Sequence, residues 1–256
     1  MILAIDVGNT NIGLGLIEDG EIRNILRIHT DPRETGTEYA IKLLQIAQYN
    51  NIDLRRVEAS IIASVVPTVT DSLCHAVERL TGKRPMIVGP GIKTGMNVRI
   101  DDPSTVAADL VVGSVAAMAL YGAPAIVIDM GAATTIVVVD RQGAYRGGAI
   151  TPGLKLSYGA LSSGTSLLPD ISILPPKKVV ATNTVDSMRS GAVYGTASLI
   201  DGMIERMEEE LGYKCTVVAT GGLAQSVIPF CRHPGILIDP DLILKGLWVL
   251  YKKNKV

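Results

Sequence analysis

An apolar strand that ends on Asp-x-Gly, turns through small or hydroxyl-bearing residues and re-emerges as a second apolar strand occurs twice in this chain. The first copy runs over 2–5, then Asp6-Val-Gly8-Asn9-Thr10-Asn11, then a strand-like stretch 12–18. The second runs over 125–129, then Gly131-Ala132-Ala133-Thr134-Thr135, then 136–140. Each is followed by a hairpin signal, Asp19-Gly20 and Arg141-Gln142-Gly143, and by a third strand over 21–29 and 145–150. In the first half a helix from Thr37, a buried strand over 60–66, a helix over 70–80 and a strand over 86–88 complete the set. In the second half, helices over 154–162 and 193–211 precede a strand over 215–219. Thr220-Gly221-Gly222 then turns into another helix. The order of elements repeats more clearly than the residues do. Such a chain is expected to fold as α/β, in two lobes over 1–121 and 122–256 with a cleft between them. Asp101-Asp102-Pro103 should start a helix at Ser104 that ends the first lobe.

Composition agrees with two modest lobes in 256 residues. Hydrophobic residues at 47% and charged residues at 19% exclude a disordered chain. One Phe and one Trp leave the core to Ala, Val, Ile and Leu, which suits close packing of helices on nearly all-apolar strands. The 24 basic and 25 acidic side chains nearly cancel, and no basic stripe is laid out for a phosphate backbone, so direct nucleic-acid binding is not expected. Cys74, Cys215 and Cys231 form no Cys-x-x-Cys pair and read as buried thiols in a reducing compartment. The stretch from Leu110 to Ile128 carries no charge, but Gly122-Ala123-Pro124 breaks it into a buried helix, a turn and a strand. The opening residues lack the basic region of a signal peptide. The expectation is a cytoplasmic protein with no membrane segment.

The Asp-x-Gly turns carry the chemistry. Gly8 permits close backbone approach, Asn9, Thr10 and the turn amides can hydrogen-bond phosphate oxygens, and Asp6 can hold a hydrated Mg²⁺ against them. Alone, the motif is equally well an ordinary hairpin turn. Its double at Asp129 makes a pair that can clamp a metal–triphosphate. No Gly-x-x-x-x-Gly-Lys-Ser/Thr is present, and no Gly-x-Gly-x-x-Gly joins a strand to a helix. Gly221-Gly222 follows a strand and allows a flat purine or ribose to approach the backbone.

Together these residues resemble the acetate-and-sugar-kinase, Hsp70 and actin superfamily, and within it the type III pantothenate kinases. The landmarks occur in order over nearly the whole chain. They are Asp6 to Asn11, Ser64-Val-Val-Pro67, Gly89-Pro-Gly-Ile-Lys-Thr-Gly95, Asp129-x-Gly-x-Ala-Thr-Thr135, Gly147-Gly-Ala-Ile-x-Pro-Gly153, Asn183-Thr-Val-x-Ser-Met188 and Ala219-Thr-Gly-Gly-Leu-Ala224. The resemblance implies two actin-like (ribonuclease-H-like) lobes, each a mixed sheet flanked by helices, with the active site in the cleft. It implies ATP-dependent phosphorylation of the primary hydroxyl of pantothenate, the first step toward coenzyme A, with Mg²⁺, a monovalent cation (K⁺ or NH₄⁺) and a homodimer. Carried over by position, Asp6, Val7, Gly8, Asn9, Thr10, Asn11, Ile12 and Gly13 match the phosphate-binding turn, with Asp6 on Mg²⁺ through ATP. Ala132, Gly221 and Gly222 match further nucleotide contacts. Asp109 matches the catalytic base and Asp129 the monovalent-cation ligand. Ile100, Ala107, Ala108, Asp109, Leu110 and Thr184 match the substrate positions.

Departures from the family pattern gather near the substrate. Ala107-Ala108-Asp109-Leu110 stands where Gly-Ala-Asp-Arg is usual, Ile100 where a Tyr is usual, and Ala132 where a Thr is usual. Leu110 offers no donor to a polar substrate. Three readings follow: a pantothenate kinase with a tolerant site, a kinase for a less polar hydroxyl, and a catalytically weak paralogue that binds nucleotide as a regulator. Read without the resemblance, Asp109 is a helix-surface acid.

Overall fold

The computed structural model describes residues 1–255. The chain gathers into two compact units. One holds Met1–Met96, Asp101–Ala119 and the stretch from Leu242; the other holds Asn97–Ile100 and Leu120–Asp241. The cut expected after Tyr121 lies beside the step from Ala119 to Leu120, while the C-terminal helix groups with the first unit.

In the first unit, β1 (Ile2–Val7) pairs antiparallel with β2 (Asn11–Glu18) and parallel with β4 (Ala59–Ser64). With β3 (Glu21–His29) and β5 (Met86–Ile87) the sheet order is β3-β2-β1-β4-β5. The β2–β3 hairpin turns on Asp19 (φ 54°) and Gly20 (φ 89°), the paired positive dihedrals that Asp-Gly supplies. Helix α1 (Gly36–Tyr49) starts from a capping box, in which the Thr35 side chain accepts from the Glu38 amide and the Glu38 carboxylate from the Thr35 amide. Helix α2 (Pro67–Thr81) starts on proline and stops at left-handed Gly82. Their stripes, including Tyr39, Leu43, Leu73 and Val77, bury Leu3, Ile5, Val7, Leu14 and Leu16. Gly15, on the alternate face of β2, meets helix α8 (Leu242–Asn254): a Cβ there would lie 3.1 Å from Leu244.

The second unit repeats the order. β7 (Ala125–Met130) pairs antiparallel with β8 (Ala133–Val139) and parallel with β10 (Thr216–Thr220). β9 (Ala144–Pro152) and β11 (Leu237–Ile238) extend the two sides, and β6 (Asn97–Val98) adds an edge strand parallel to β9. The order β11-β10-β7-β8-β9-β6 is that of the first sheet with one strand added. Helices α4 (Leu154–Ser163), α6 (Thr196–Leu211) and α7 (Ala224–Val227) bury the face that carries Ile126, Ile128, Met130, Ile136 and Val217. Each unit is therefore a mixed sheet with ribonuclease-H-like strand order flanked by helices.

Three local expectations are corrected. The turn after each Asp-x-Gly is shorter than expected, because β1 runs on through Asp6 and Val7, and β8 already includes Thr134 and Thr135. Asp102-Pro103 does start a helical turn, but only over Pro103–Thr105. Asp102 spends its side chain and carbonyl locally on Ser104 and Thr105, and Val106 is extended (ψ 120°), so helix α3 (Ala108–Tyr121) starts afresh. The long helix expected over 193–211 is α6 preceded by a π-helical turn, Gly191–Gly195, and by α5 (Thr184–Ser190). Two glycines bound that turn, and a Cβ on Gly191 would stand 2.9 Å from the Tyr158 hydroxyl. The three cysteines are free and half-buried. Among the described residues no helix is long and apolar enough to cross a membrane.

Helix α3 is seated on α8 at Gly246, where a Cβ would come 2.5 Å from the Val112 carbonyl and 3.0 Å from the Ala116 methyl. In a solvated helix, Gly→Ala stabilises by about 0.8–1 kcal/mol. Here Gly246→Ala is expected to destabilise, and Gly246→Val to destabilise further, by about 1–3 kcal/mol. Urea unfolding of the three proteins checks the sign; a stabilised Gly246→Ala would show that the α3–α8 contact has slack.

Candidate functional site

Asp6 is the penultimate residue of β1, opposite Gly13 on β2 and level with Ala63 on β4. A strand paired on both edges is held along its whole length, so the half-buried carboxylate leaves the sheet at a fixed place. Val7 and Ile12 are core residues, whereas Asn9, Thr10 and Asn11 are exposed. The turn between them is closed by backbone and by Thr30. The Gly8 amide donates to the Asn11 carbonyl (3.0 Å), the Thr30 hydroxyl to the Gly8 carbonyl (2.7 Å), and the Thr30 amide to the Thr10 carbonyl (3.1 Å). With those carbonyls occupied, what the turn offers to solvent is the amide and hydroxyl side chains of Asn9, Thr10 and Asn11. Gly13 leaves the flank of Asp6 bare: a Cβ there would be 3.9 Å from that of Asp6.

Asp129 is the counterpart, penultimate in β7, opposite Thr135 on β8 and level with Thr220 on β10. Its surroundings are built differently. Gly221 (φ 91°) brings bare backbone against the carboxylate; a Cβ there would lie 2.6 Å from Asp129 Oδ1 and from the Met130 amide nitrogen. Gly153, the residue that starts α4, donates its amide to the Ala132 carbonyl at 3.0 Å, and a Cβ on it would overlap that carbonyl. Gly131, Ala132 and Ala133 are exposed, and Gly222 has open space around its Cα. Asp129, Ala132 and Gly221 are thus brought to one end of this sheet.

Ala108, Asp109 and Leu110 open α3 and Ala107 precedes it, all half-buried. Asp109 lies in the first helical turn, where amides point outward and a carboxylate is favoured. Its Oδ1 accepts from the Leu110 amide at 2.7 Å. Burial pushes its carboxyl above the usual range, and that amide only partly offsets the effect. Asp109 is therefore not an ordinary surface acid.

The other two substrate positions belong to the second unit. Ile100 is half-buried, its Cγ2 3.5 Å from where a Cβ on Gly147 (φ 86°) would stand. Thr184 is exposed and opens α5 behind the Asn183 cap, whose side chain accepts from the Asp186 amide and donates to its carboxylate. Two contributors went unread in the sequence. Gly153 is one: its packing behind Ala132 is signalled only by its place in a glycine-rich motif. Thr135 is the other, with a buried Oγ1 that has no hydrogen-bond partner. Among the described residues no three His, Cys, Asp or Glu side chains converge as a metal cluster.

Two ribonuclease-H-like units, each ending its central strand in a carboxylate turn, define a member of the acetate-and-sugar-kinase, Hsp70 and actin superfamily. Comparison with known proteins narrows the class. The model of the family "type III pantothenate kinase" matches residues 2–206. A type III pantothenate kinase from Moorella thermoacetica is 42% identical over 254 residues, 99% of this chain and 100% of that protein. The chain belongs to the type III pantothenate kinase family. Two solved structures share the fold at low identity. One is a Campylobacter jejuni protein assigned to the Baf family of transcriptional activators (17% identical, 98% of each chain, TM-score 0.60). The other is component A of the (R)-2-hydroxyglutaryl-CoA dehydratase of Acidaminococcus fermentans (16%, 99% of each chain, TM-score 0.59).

Half-burying the Asp109 carboxylate has a measurable cost. A carboxyl whose pKa is raised by folding contributes stability that is fully present below its unfolded value of about 3.9 and is lost as pH rises through the folded value. Asp109→Asn keeps the side-chain oxygen and removes the charge. It should melt higher than the unmodified protein at pH 7, with the difference closing as pH falls toward about 4. Thermal melts across that range test this; a constant difference would mean that the charge is not the cause.

Proposed function

We propose that this protein transfers the γ-phosphoryl group of ATP to the primary hydroxyl of pantothenate, giving 4′-phosphopantothenate and ADP, the first step toward coenzyme A. The observation that carries this reading is family membership, by a family model over residues 2–206 and a relative matched along 99% of the chain; the sequence has both Asp-x-Gly turns and Asp109 at the positions the resemblance implies. Asp109 is the general base. Its raised carboxyl suits proton abstraction near neutral pH better than an ordinary Asp would, and the Leu110 amide fixes the orientation of one oxygen. The hydroxyl proton passes to Asp109, the alcohol oxygen forms the new P–O bond, and the bond to the β–γ bridging oxygen breaks. Asn9, Thr10, Asn11 and the turn amides position the phosphates, Gly222 and Ala132 leave room for the nucleotide, and Gly221 brings bare backbone to it.

The residues present fit the implied ions. Asp6 has a flank at Gly13 with no side chain on it, room for a hydrated Mg²⁺ on the phosphates, and Asp129 has Gly221 backbone and the unpartnered Thr135 hydroxyl beside it as further oxygen donors for a monovalent cation. When bound, these ions offset the negative charge that phosphoryl transfer moves. Ile100, Ala107, Ala108, Leu110 and Thr184 belong to the substrate side, and the working form is a cytoplasmic homodimer with no nucleic-acid or membrane partner.

The direct test is turnover with ATP, Mg²⁺, K⁺ and pantothenate. Pantothenate should be phosphorylated, and Asp109→Asn should lower kcat by about 10²–10⁴ while leaving ATP binding in place. Undiminished turnover in that variant would return Asp109 to a structural role. One observation favours a second reading: the start of α3 presents Ala107 and Leu110, an apolar rim suited to a less polar alcohol. Replacing Ala107 by Gly and Leu110 by Arg together should lower KM for pantothenate, by roughly 10- to 150-fold if a charged hydrogen bond is gained. If neither protein phosphorylates pantothenate, a panel of small alcohols becomes the decisive assay.

A further inference from the structure

Thr135 stands directly opposite Asp129 in the antiparallel β7–β8 pair. Opposed residues project to the same side of the sheet with Cβ atoms roughly 4.5–5.5 Å apart, so the hydroxyl and the carboxylate share one small space. The Thr135 Oγ1 is buried and makes no hydrogen bond. A valine has the same branched shape and β-preference without a buried hydroxyl to satisfy, so packing alone does not account for a threonine here. On the other side of Asp129, Gly221 closes the space with bare backbone, a Cβ there lying 2.6 Å from Oδ1. A carboxylate, a hydroxyl and nearby backbone make an all-oxygen donor set. Oxygen donors suit a hard cation, and the monovalent ion proposed at Asp129 is of that kind.

We infer that the Thr135 hydroxyl is a second ligand to the cation held by Asp129 and sets how tightly that cation binds. This rests on the reading of Asp129 given above. The probe is K⁺ alone, titrated as KCl against choline chloride at constant ionic strength, with melting temperature as the readout. The unmodified protein should be stabilised by K⁺. Thr135→Val should need at least about tenfold more K⁺ for half of the effect, while melting no lower than the unmodified protein in choline. Thr135→Ser, which keeps the hydroxyl, should respond nearly as the unmodified protein does. Equal K⁺ dependence in Thr135→Val overturns the inference, even if that variant melts lower throughout, because that is the mark of a packing role. If the unmodified protein itself shows no response to K⁺, the reading of Asp129 fails and this inference fails with it. A response that is lost in Asp129→Asn and kept in Thr135→Val separates the two, sparing Asp129 alone.

Discussion

A central strand paired along both edges has no backbone freedom left, and in each sheet of this fold the penultimate residue of such a strand is a carboxylate. Asp6 and Asp129 both occupy that position, each between an antiparallel neighbour and a parallel one. The antiparallel partner turns back within a few residues and brings its own first residues alongside. The parallel partner ends level with the carboxylate in the second unit, at Thr220, and one residue beyond it in the first, at Ser64. A charged oxygen is thereby held at a place set by the sheet ladder, with small residues on both flanks. Both Asp-x-Gly turns are arranged around that constraint, because loops alone do not fix a carboxylate so closely.

Asp109 is held by a different device. Its helix has little polarity of its own, burying Val112, Gly113, Ser114, Val115, Ala116 and Ala117, so packing rather than sequence pattern decides where it lies. The close approach at Gly246 provides that packing. The helix then starts abruptly after an extended Val106, which puts Asp109 in the first turn, half-buried but near amides that favour negative charge. The balance leaves a carboxylate with a raised proton affinity and a modest stability cost. A general base is most useful in that condition.

The fold was legible in the sequence because its signals are local and repeated. Asp19-Gly20 marks its own hairpin, the helix expected over 70–80 falls within α2, and nearly all-apolar runs of Val, Ile and Leu mark the strands. The repeated order of elements pointed to two similar units, and the strand order within each sheet is a structural finding. What escaped were features set by distant packing. Pro103 was a sound helix start, but nothing nearby predicts that Val106 ends the turn so soon. The π-helical turn at Gly191–Gly195 answers to Tyr158, more than thirty residues earlier, and β6 pairs with a strand beyond α3. The landmarks of the site were visible as motifs, Asp6 to Asn11 and Asp129 to Thr135 among them. The burial of the Thr135 hydroxyl was not, since it depends on which face of β8 turns inward, and the reading had placed that residue in the turn.

The two carboxylate turns show how one topology supports two kinds of work. In the first, the turn carbonyls are already used by Gly8, Thr30 and their neighbours, and the exposed residues are Asn9, Thr10 and Asn11, all able to donate. That suits an anionic group with many oxygens. In the second, the turn side chains have shrunk to Gly131, Ala132 and Ala133, and the polar atom has moved into the strand as Thr135, beside the carboxylate. Glycines at 153 and 221 press backbone close on either side. Donors have been traded for acceptors, and exposure for enclosure, while the strand ladder stays the same. A sheet that fixes its carboxylate by backbone pairing leaves the turn residues free to change in this way, because the fold does not depend on their side chains.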